Sequence, residues 1–153
     1  KQEKMLAHLV SRRQTLYRLI VPSTPRYFIS ALKCEVERSS FKTLYFYSEK
    51  EMDIAYLLLN SSYMYWWWRV NDGGMTISEK TLLTLPIINE MSVSKSLLAR
   101  IELSEKTNRV IKRNAGKDNE NVKHDPSLVR EITKGLFPRF ASALELVHNN
   151  SVI

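Results

Sequence analysis

Hydrophobic and polar positions recur with a helical period in the central part of the chain, between residues 48 and 86. From Met52 to Val70, apolar side chains return at steps of three and four residues, which places them on one face of a helix. Ser48 stands before this stretch with Glu51 three residues after it, the spacing of a capping box at a helix start. The segment Asp72-Gly73-Gly74 predicts the end of the helix, because glycine adopts a left-handed backbone without steric penalty.

Three consecutive tryptophans, at positions 66 to 68, stand near the end of this helix. Consecutive helical positions point about 100° apart, so the three indoles cannot all face one core. Two alternatives stay open: two indoles lie in the core and one packs under the C-terminal helices, or one meets another domain or a nucleic acid.

Ser78 predicts the cap of a second, short helix, which Pro86 ends. Four side chains are predicted to be buried where these helices meet: Leu58, Leu59, Trp67 and Leu85.

Short runs rich in aromatic and β-branched residues predict a β-hairpin beside the helix. Its strands are expected at residues 27–32 and 42–47, with the polar segment 35–40 as the turn. Residues 17–21 have a similar composition and are a further candidate strand. Residues 1–14 have the apolar spacing of an amphipathic helix.

Beyond residue 92 the pattern predicts helices and one polar connection. A long helix is expected over 94–114, a polar loop over 114–127, and two short helices over 128–134 and 138–148. The predicted fold class is therefore α+β, with a small β-hairpin or sheet packed on a long aromatic-rich helix and followed by a C-terminal helical arm. We interpret residues 1–92 as the hairpin-and-helix core and 93–153 as the arm.

Charge narrows the class of partner. The 153 residues carry a net charge of +7, with a pI of about 9.6, which favours a polyanionic partner.

No apolar run is long enough to span a bilayer. The single Cys34 excludes an internal disulfide and a multi-cysteine zinc site, in agreement with a reducing, cytoplasmic location. Because the chain starts at Lys1 rather than Met, we expect it to be a piece of a longer protein.

One ordered string of motifs resembles a known family. Residues 57–70 read Leu-Leu-Leu-Asn-Ser-Ser-Tyr-Met-Tyr-Trp-Trp-Trp-Arg-Val, and residues 72–87 read Asp-Gly-Gly-Met-Thr-Ile-Ser-Glu-Lys-Thr-Leu-Leu-Thr-Leu-Pro-Ile. The string is similar to that of the TaqI-like C-terminal specificity domain, which follows adenine-N6 DNA methyltransferase modules in bacterial type II restriction-modification enzymes. The resemblance covers about residues 26–88. The glycine-rich aromatic turn of many members is replaced here by residues 23–28.

This resemblance implies a target recognition domain that binds double-stranded DNA and positions it for a separate catalytic domain. S-adenosylmethionine would bind in an N-terminal methyltransferase domain of the same polypeptide, so no cofactor is expected in this fragment. In fused enzymes of this kind an endonuclease cuts nearby. The expected partners are therefore duplex DNA and the methyltransferase domain, without a membrane.

Catalytic motifs are missing from the sequence itself. It contains no Asn-Pro-Pro-aromatic segment of the kind that holds a flipped adenine. Gly73-Gly74 is not followed by the Lys-Ser/Thr close of a phosphate-binding loop. The chain is therefore not predicted to be an enzyme by itself, and we assign no catalytic or metal-binding residue.

Basic residues fall into two groups, to which we assign different roles. The first group surrounds the predicted hairpin and leads into the aromatic helix, and we expect it to read bases because a two-stranded ribbon fits the major groove. The second group lies in the predicted loop and the helix before it, and we expect it to grip phosphates. The first group consists of Arg26, Lys33, Arg38, Lys42 and Arg69, and the second of Lys106, Arg109, Lys112, Arg113, Lys117 and Lys123.

A second hypothesis is a non-catalytic protein-interaction or structural module that docks another domain through its aromatic face. Duplex binding that weakens steeply with salt distinguishes the first hypothesis from the second, because contacts to phosphates release counterions.

Overall fold

Two small antiparallel sheets and six helices form the described part of the chain, which comprises residues 3–25, 27–87 and 92–150 of a computed structural model. The fold class is α+β, which confirms the prediction. In chain order the elements are a 3₁₀ turn at Leu6–His8, β1 (Tyr17–Pro22), β2 (Phe41–Phe46), α1 (Glu49–Leu59), α2 (Ser62–Asp72), α3 (Glu79–Leu83), α4 (Lys95–Thr107), β3 (Arg109–Asn114), β4 (Lys117–Val122), α5 (Pro126–Leu136) and α6 (Ala141–Asn150).

The first sheet pairs β1 with β2, from Tyr17 opposite Phe46 to Pro22 opposite Phe41, and it packs on α1. The predicted strand at 42–47 is confirmed as β2, but its partner is the candidate strand at 17–21. The prediction of a strand at 27–32 is wrong, since this segment touches the sheet through one isolated bridge between Ile20 and Leu32. The predicted turn at 35–40 is consequently part of a longer connection.

The N-terminal prediction is also wrong. The described part of residues 1–14 contains the 3₁₀ turn rather than a helix, and it runs antiparallel beside residues 85–87. The Leu6 amide donates to the Leu85 carbonyl at 2.9 Å, and the Ile87 amide donates to the Lys4 carbonyl at 2.7 Å. These long-range bonds replace the local bonds that a helix would have made.

The long aromatic helix is divided in two at Asn60, which is buried. Its side-chain oxygen accepts from the Ala31 amide at 3.1 Å, and its side-chain nitrogen donates to the carbonyls of Ala31 (3.0 Å) and Tyr56 (2.8 Å). The Ser61 hydroxyl donates to the Leu58 carbonyl at 2.7 Å and closes the end of α1. Asn60 thus gives Ala31 the hydrogen bonds that a neighbouring strand would supply, and this explains why the segment around Ala31 needs no strand partner.

The break changes which aromatic side chains face the core. Trp68 and Tyr65 are fully buried, whereas Trp67 is half-buried and Val70 is 63% exposed. The Trp68 indole donates to the Thr76 carbonyl at 2.9 Å. The prediction of buried side chains is confirmed for three leucines. It is wrong for Trp67, because the fully buried tryptophan is its neighbour Trp68. The confirmed leucines are Leu58, Leu59 and Leu85, each with 0% exposure.

The second sheet is a hairpin in a region for which we predicted a helix end and a loop. Helix α4 ends at Thr107, and β3 and β4 pair from Arg109 opposite Val122 to Asn114 opposite Lys117. Both residues of the intervening turn, Ala115 and Gly116, have positive φ (52° and 78°), as a two-residue type I′ hairpin turn requires. The predictions of a helix reaching residue 114 and of a loop over 114–127 are therefore wrong.

One hydrophobic cluster draws on both sides of residue 92. It includes Leu59 and Trp68 from α1 and α2, Ile101 from α4, Ile132 from α5 and Phe137. The division into units at residues 1–92 and 93–153 stays a prediction. Among the helices of the described residues, none has the length and apolarity needed to cross a membrane.

Candidate nucleic-acid interface

A cleft of about 700 Å³ brings the β3–β4 hairpin close to the turn between α2 and α3 and to the segment after β1. These three parts of the chain are far apart in sequence, so the cleft exists only in the folded protein. It is lined by Pro22, Thr24, Pro25, Phe28, Ile29, Ser30, Arg38, Ser39, Ser40, Gly74, Met75, Thr76, Lys112, Arg113, Asn119, Asn121 and Val122.

The lining of this cleft is positively charged. It contains three basic residues, Arg38, Lys112 and Arg113, and no acidic residue occurs among the described residues that line it. Hydroxyl and amide side chains supply most of the remaining polar groups. Charges of one sign focused in a concave site attract ligands of the opposite sign, so the cleft favours an anion.

The two faces of the β3–β4 hairpin differ in charge. On one face Glu120 pairs with Arg109 at 2.9 Å and Asp118 with Arg113 at 3.6 Å. The Arg109 hydrogen bond holds the pKa of the Glu120 carboxyl below its usual range. Successive strand residues point to opposite faces, so the other face carries Lys112, with no acidic residue on that face. We call the face with Lys112, Asn119 and Asn121 the amide face.

Arg38 holds the hairpin against the segment after β1. Its guanidinium donates to the side-chain oxygen of Asn121, to the Ser40 carbonyl at 3.4 Å and to the Thr24 hydroxyl at 3.5 Å. Burial lowers the pKa of this half-buried guanidinium. The Glu120 amide also donates to the Glu37 carbonyl at 2.8 Å, which joins the backbones of the two segments. Arg38 therefore lines the cleft, and most of its donors are already bound within the protein.

Lys33 lies in an internal ion-pair network away from the cleft lining. Its ammonium contacts the carboxylates of Asp53 and Glu102, each at 2.7 Å, and lies 4.9 Å from the centre of the Tyr56 ring. Burial alone would lower the pKa of Lys33, but the hydrogen bonds to the two carboxylates outweigh it and raise that pKa. With two carboxylates already neutralising it, we leave Lys33 out of the candidate interface.

The other predicted site residues are distributed around the cleft and the hairpin. Arg69 is exposed, and its guanidinium lies against Gly74 of the cleft lining. Lys42 is half-buried, and its ammonium lies 3.4 Å from the Ser23 hydroxyl. Arg26 lies outside the described residues. The remaining lysines, which are all exposed, are Lys106, Lys117 and Lys123.

Sequence reasoning missed the amides and the backbone turn of this cleft. Asn119 and Asn121 stand two residues apart, the spacing that places strand residues on the same face. This spacing could have placed both side chains on one face of a strand, but from sequence we interpreted the segment as a loop. Gly74, Met75 and Thr76 gave no signal, because their place in the cleft depends on long-range packing.

Within residues 3–25, 27–87 and 92–150, no cluster of three or more His, Cys, Asp or Glu side chains could hold a metal ion.

Comparison with models of protein families, with curated proteins and with solved structures returns no match.

Proposed function

We propose that this chain is a DNA-binding target recognition domain, a fragment of a site-specific adenine DNA methyltransferase or restriction-modification enzyme of the cytoplasm. The observation that carries the proposal is the basic, amide-lined cleft beside the β3–β4 hairpin. The motif string of residues 57–87, with its resemblance to TaqI-like specificity domains, points to the same class.

The hairpin suits a duplex by its size as well as its charge. Each strand has six residues, or about 20 Å at the usual rise per residue. The major groove of B-DNA is about 12 Å wide and admits a two-stranded ribbon. Two further exposed basic side chains of the hairpin, Arg113 and Lys117, are available to phosphates flanking the groove.

In this proposal the chain has no chemistry of its own. It holds the recognition site while a methyltransferase domain of the same polypeptide binds S-adenosylmethionine and modifies an extruded adenine. A protein-interaction module is the weaker alternative, because the aromatic face that would dock a partner is largely occupied. Trp68 is buried, the Trp67 indole donates to the Thr81 carbonyl at 2.9 Å, and Tyr65 stacks on His148 at 4.0 Å.

The test is the salt dependence of duplex binding, measured by fluorescence anisotropy with a labelled duplex of mixed sequence. We expect affinity to fall steeply between about 50 and 200 mM salt, as phosphate contacts require. The double variant Lys112→Ala/Arg113→Ala should bind more weakly, and its slope of log affinity against log salt should flatten by at most about two units, one per lost contact.

A matched control is Lys95→Ala/Lys134→Ala, which removes the same charge from two exposed helical positions that do not line the cleft. It should keep a slope close to that of the unmodified chain. Binding that is absent, or that is indifferent to salt, contradicts the proposed function. Equal losses in the two double variants would show that net charge, rather than the cleft, governs binding.

A further inference from the structure

We infer that Lys112 and Asn119 form a donor pair that selects guanine in the major groove, so that the β3–β4 hairpin reads bases rather than only gripping phosphates. This inference rests on the proposed function and assigns the base-reading residues within it. It reverses the roles assigned from sequence, in which the segment around Arg38 read bases and the second basic group held the backbone.

The two side chains are placed together by the strand register. Lys112 lies directly opposite Asn119, on the amide face of the hairpin, and both line the cleft. Side chains directly opposite each other in an antiparallel pair have their Cβ atoms about 4.5–5.5 Å apart. They can therefore approach one base edge together.

The orientation of the Asn119 amide is fixed by its neighbour Ser39. The Ser39 backbone amide donates to the Asn119 side-chain oxygen at 3.3 Å, and the Ser39 hydroxyl donates to the same oxygen at 3.5 Å. The backbone N–H of Ser39 can only donate, so the Asn119 side-chain oxygen faces it and the side-chain nitrogen points away from that amide. That nitrogen has no hydrogen-bond partner among the described residues, and it is free to donate to a ligand.

This geometry favours guanine over adenine. Asparagine usually reads adenine with both its groups, accepting from N6–H and donating to N7. Here the Asn119 oxygen already accepts from the Ser39 amide and hydroxyl, which leaves the nitrogen to face the DNA. Lys112 adds a second donor, and guanine is the base that offers two adjacent acceptors, O6 and N7.

The neighbouring amide on the same face has a structural role instead. The Asn121 side-chain oxygen accepts from Arg38, and its nitrogen donates to the Asn119 carbonyl at 3.4 Å. Arg38 is likewise bound to Ser40 and Thr24. These two residues position the strand that carries Asn119, and we expect them to act on base preference only through it.

The decisive experiment is selection of bound duplexes from a random-sequence library, followed by sequencing, with the full chain and its variants. The full chain should enrich a site that contains one guanine whose replacement lowers affinity about 5- to 150-fold, the range of a good two-point base contact. Asn119→Asp keeps the oxygen that faces Ser39 and replaces the donor with an acceptor. It should abolish the guanine preference at that position and favour cytosine, whose N4–H₂ donates.

Two further variants keep the result interpretable. Lys112→Met retains the aliphatic stem at an exposed position and should weaken the same guanine preference even where Asn119→Asp does not fold. Asn149→Asp introduces the same charge at an exposed position of α6 outside the cleft lining, and it should leave the selected site unchanged.

The outcomes separate this inference from the proposed function. Duplex binding with a selected site that neither Lys112→Met nor Asn119→Asp alters would overturn the donor pair and leave the proposed function standing. The same holds for salt-dependent binding without any sequence preference. Absence of duplex binding by the unmodified chain would overturn both.

Discussion

Replacing Glu105 by alanine should destabilise the fold more than the loss of any exposed carboxylate, because the buried Glu105 accepts from two backbone amides and a tyrosine hydroxyl. Its side chain is 1% exposed. One carboxylate oxygen accepts from the Lys33 amide at 2.7 Å and the Tyr56 hydroxyl at 2.8 Å, and the other accepts from the Cys34 amide at 3.0 Å. This carboxylate joins α4 to α1 and to the segment after β1.

The magnitude follows from the donors left without an acceptor. Each buried donor that loses its partner costs about 1–3 kcal/mol. The Tyr56 side chain is fully buried, whereas Lys33 and Cys34 are half-buried, so water can replace part of the loss at the two amides. We therefore expect Glu105→Ala to lower the free energy of unfolding by about 3–5 kcal/mol. This range already includes a gain of a few tenths of a kcal/mol from the higher helix propensity of alanine.

Variants that remove only some of these hydrogen bonds should lose only part of this free energy of unfolding. Tyr56→Phe removes one donor and leaves the other two satisfied, so about 1 kcal/mol is expected. Glu105→Gln keeps one oxygen but places an N–H₂ group against the Cys34 amide, and it should fall between the other two variants. Glu102→Ala is the matched control, since it removes a carboxylate from the same helix. The Glu102 side chain is 44% exposed, and among the described residues it pairs only with Lys33. Glu102 is half-exposed and Lys33 keeps its second partner Asp53, so this loss should not exceed about 1 kcal/mol.

The assay is urea unfolding followed by far-UV circular dichroism, with the slope of unfolding free energy against urea checked for each variant. A Glu105→Ala loss below about 1 kcal/mol, or one no larger than that of Glu102→Ala, would refute the reasoning. It would mean that the three hydrogen bonds contribute no more than those that water makes to the same groups.

Three other perturbations test the core, the turn and a buried histidine. Leu59→Ala should cost about 2–5 kcal/mol in urea unfolding, because the leucine is fully buried, and a loss under about 0.5 kcal/mol would contradict its place in the core. Gly74→Ala should cost about 1–2 kcal/mol by the same assay, because its φ is +94° and the new methyl group would displace the Arg69 guanidinium. Burial lowers the pKa of His124 to about 4, so the unfolded chain takes up a proton that the folded chain does not. Stability should therefore fall by up to about 3 kcal/mol from about pH 6.5 to pH 4, and His124→Gln should flatten this dependence in urea titrations at each pH.

Sequence patterns predicted well the elements whose ends are set by local chemistry. The Ser48 hydroxyl accepts from the Glu51 amide at 3.3 Å, and the Ser78 hydroxyl accepts from the Thr81 amide at 3.1 Å, which confirms both N-caps. The Glu51 carboxylate accepts from the Ser48 hydroxyl at 3.3 Å, where a capping box would have used the Ser48 amide. Gly73 ends α2 with a φ of 65°. In each case the donor and acceptor lie within a few residues, so the spacing alone contains the information.

The errors share a different physical cause. The break at Asn60 depends on Ala31, 29 positions away, and the β3–β4 hairpin is joined to Glu37 by a backbone bond across 83 positions. Val110 and Ile111 favour a strand as much as a helix, and no local rule decides between the two readings in so short a run. Tertiary contacts decide it here, and they also create the cleft, which no single segment contains.

The position of the basic side chains, more than the net charge, supports an interface on the amide face. A net charge of +7 says nothing about where cations point. In the hairpin the two acidic residues lie on the same face as two arginines and pair with them, whereas Lys112 on the opposite face has no counter-charge within the hairpin. A shift of register by one residue would exchange the faces of one strand, so the turn at Ala115 and Gly116, which fixes the register, also fixes the face on which the uncompensated charge is displayed. This asymmetry gives the amide face an uncompensated cation, which favours a polyanion on that face over the face with the ion pairs.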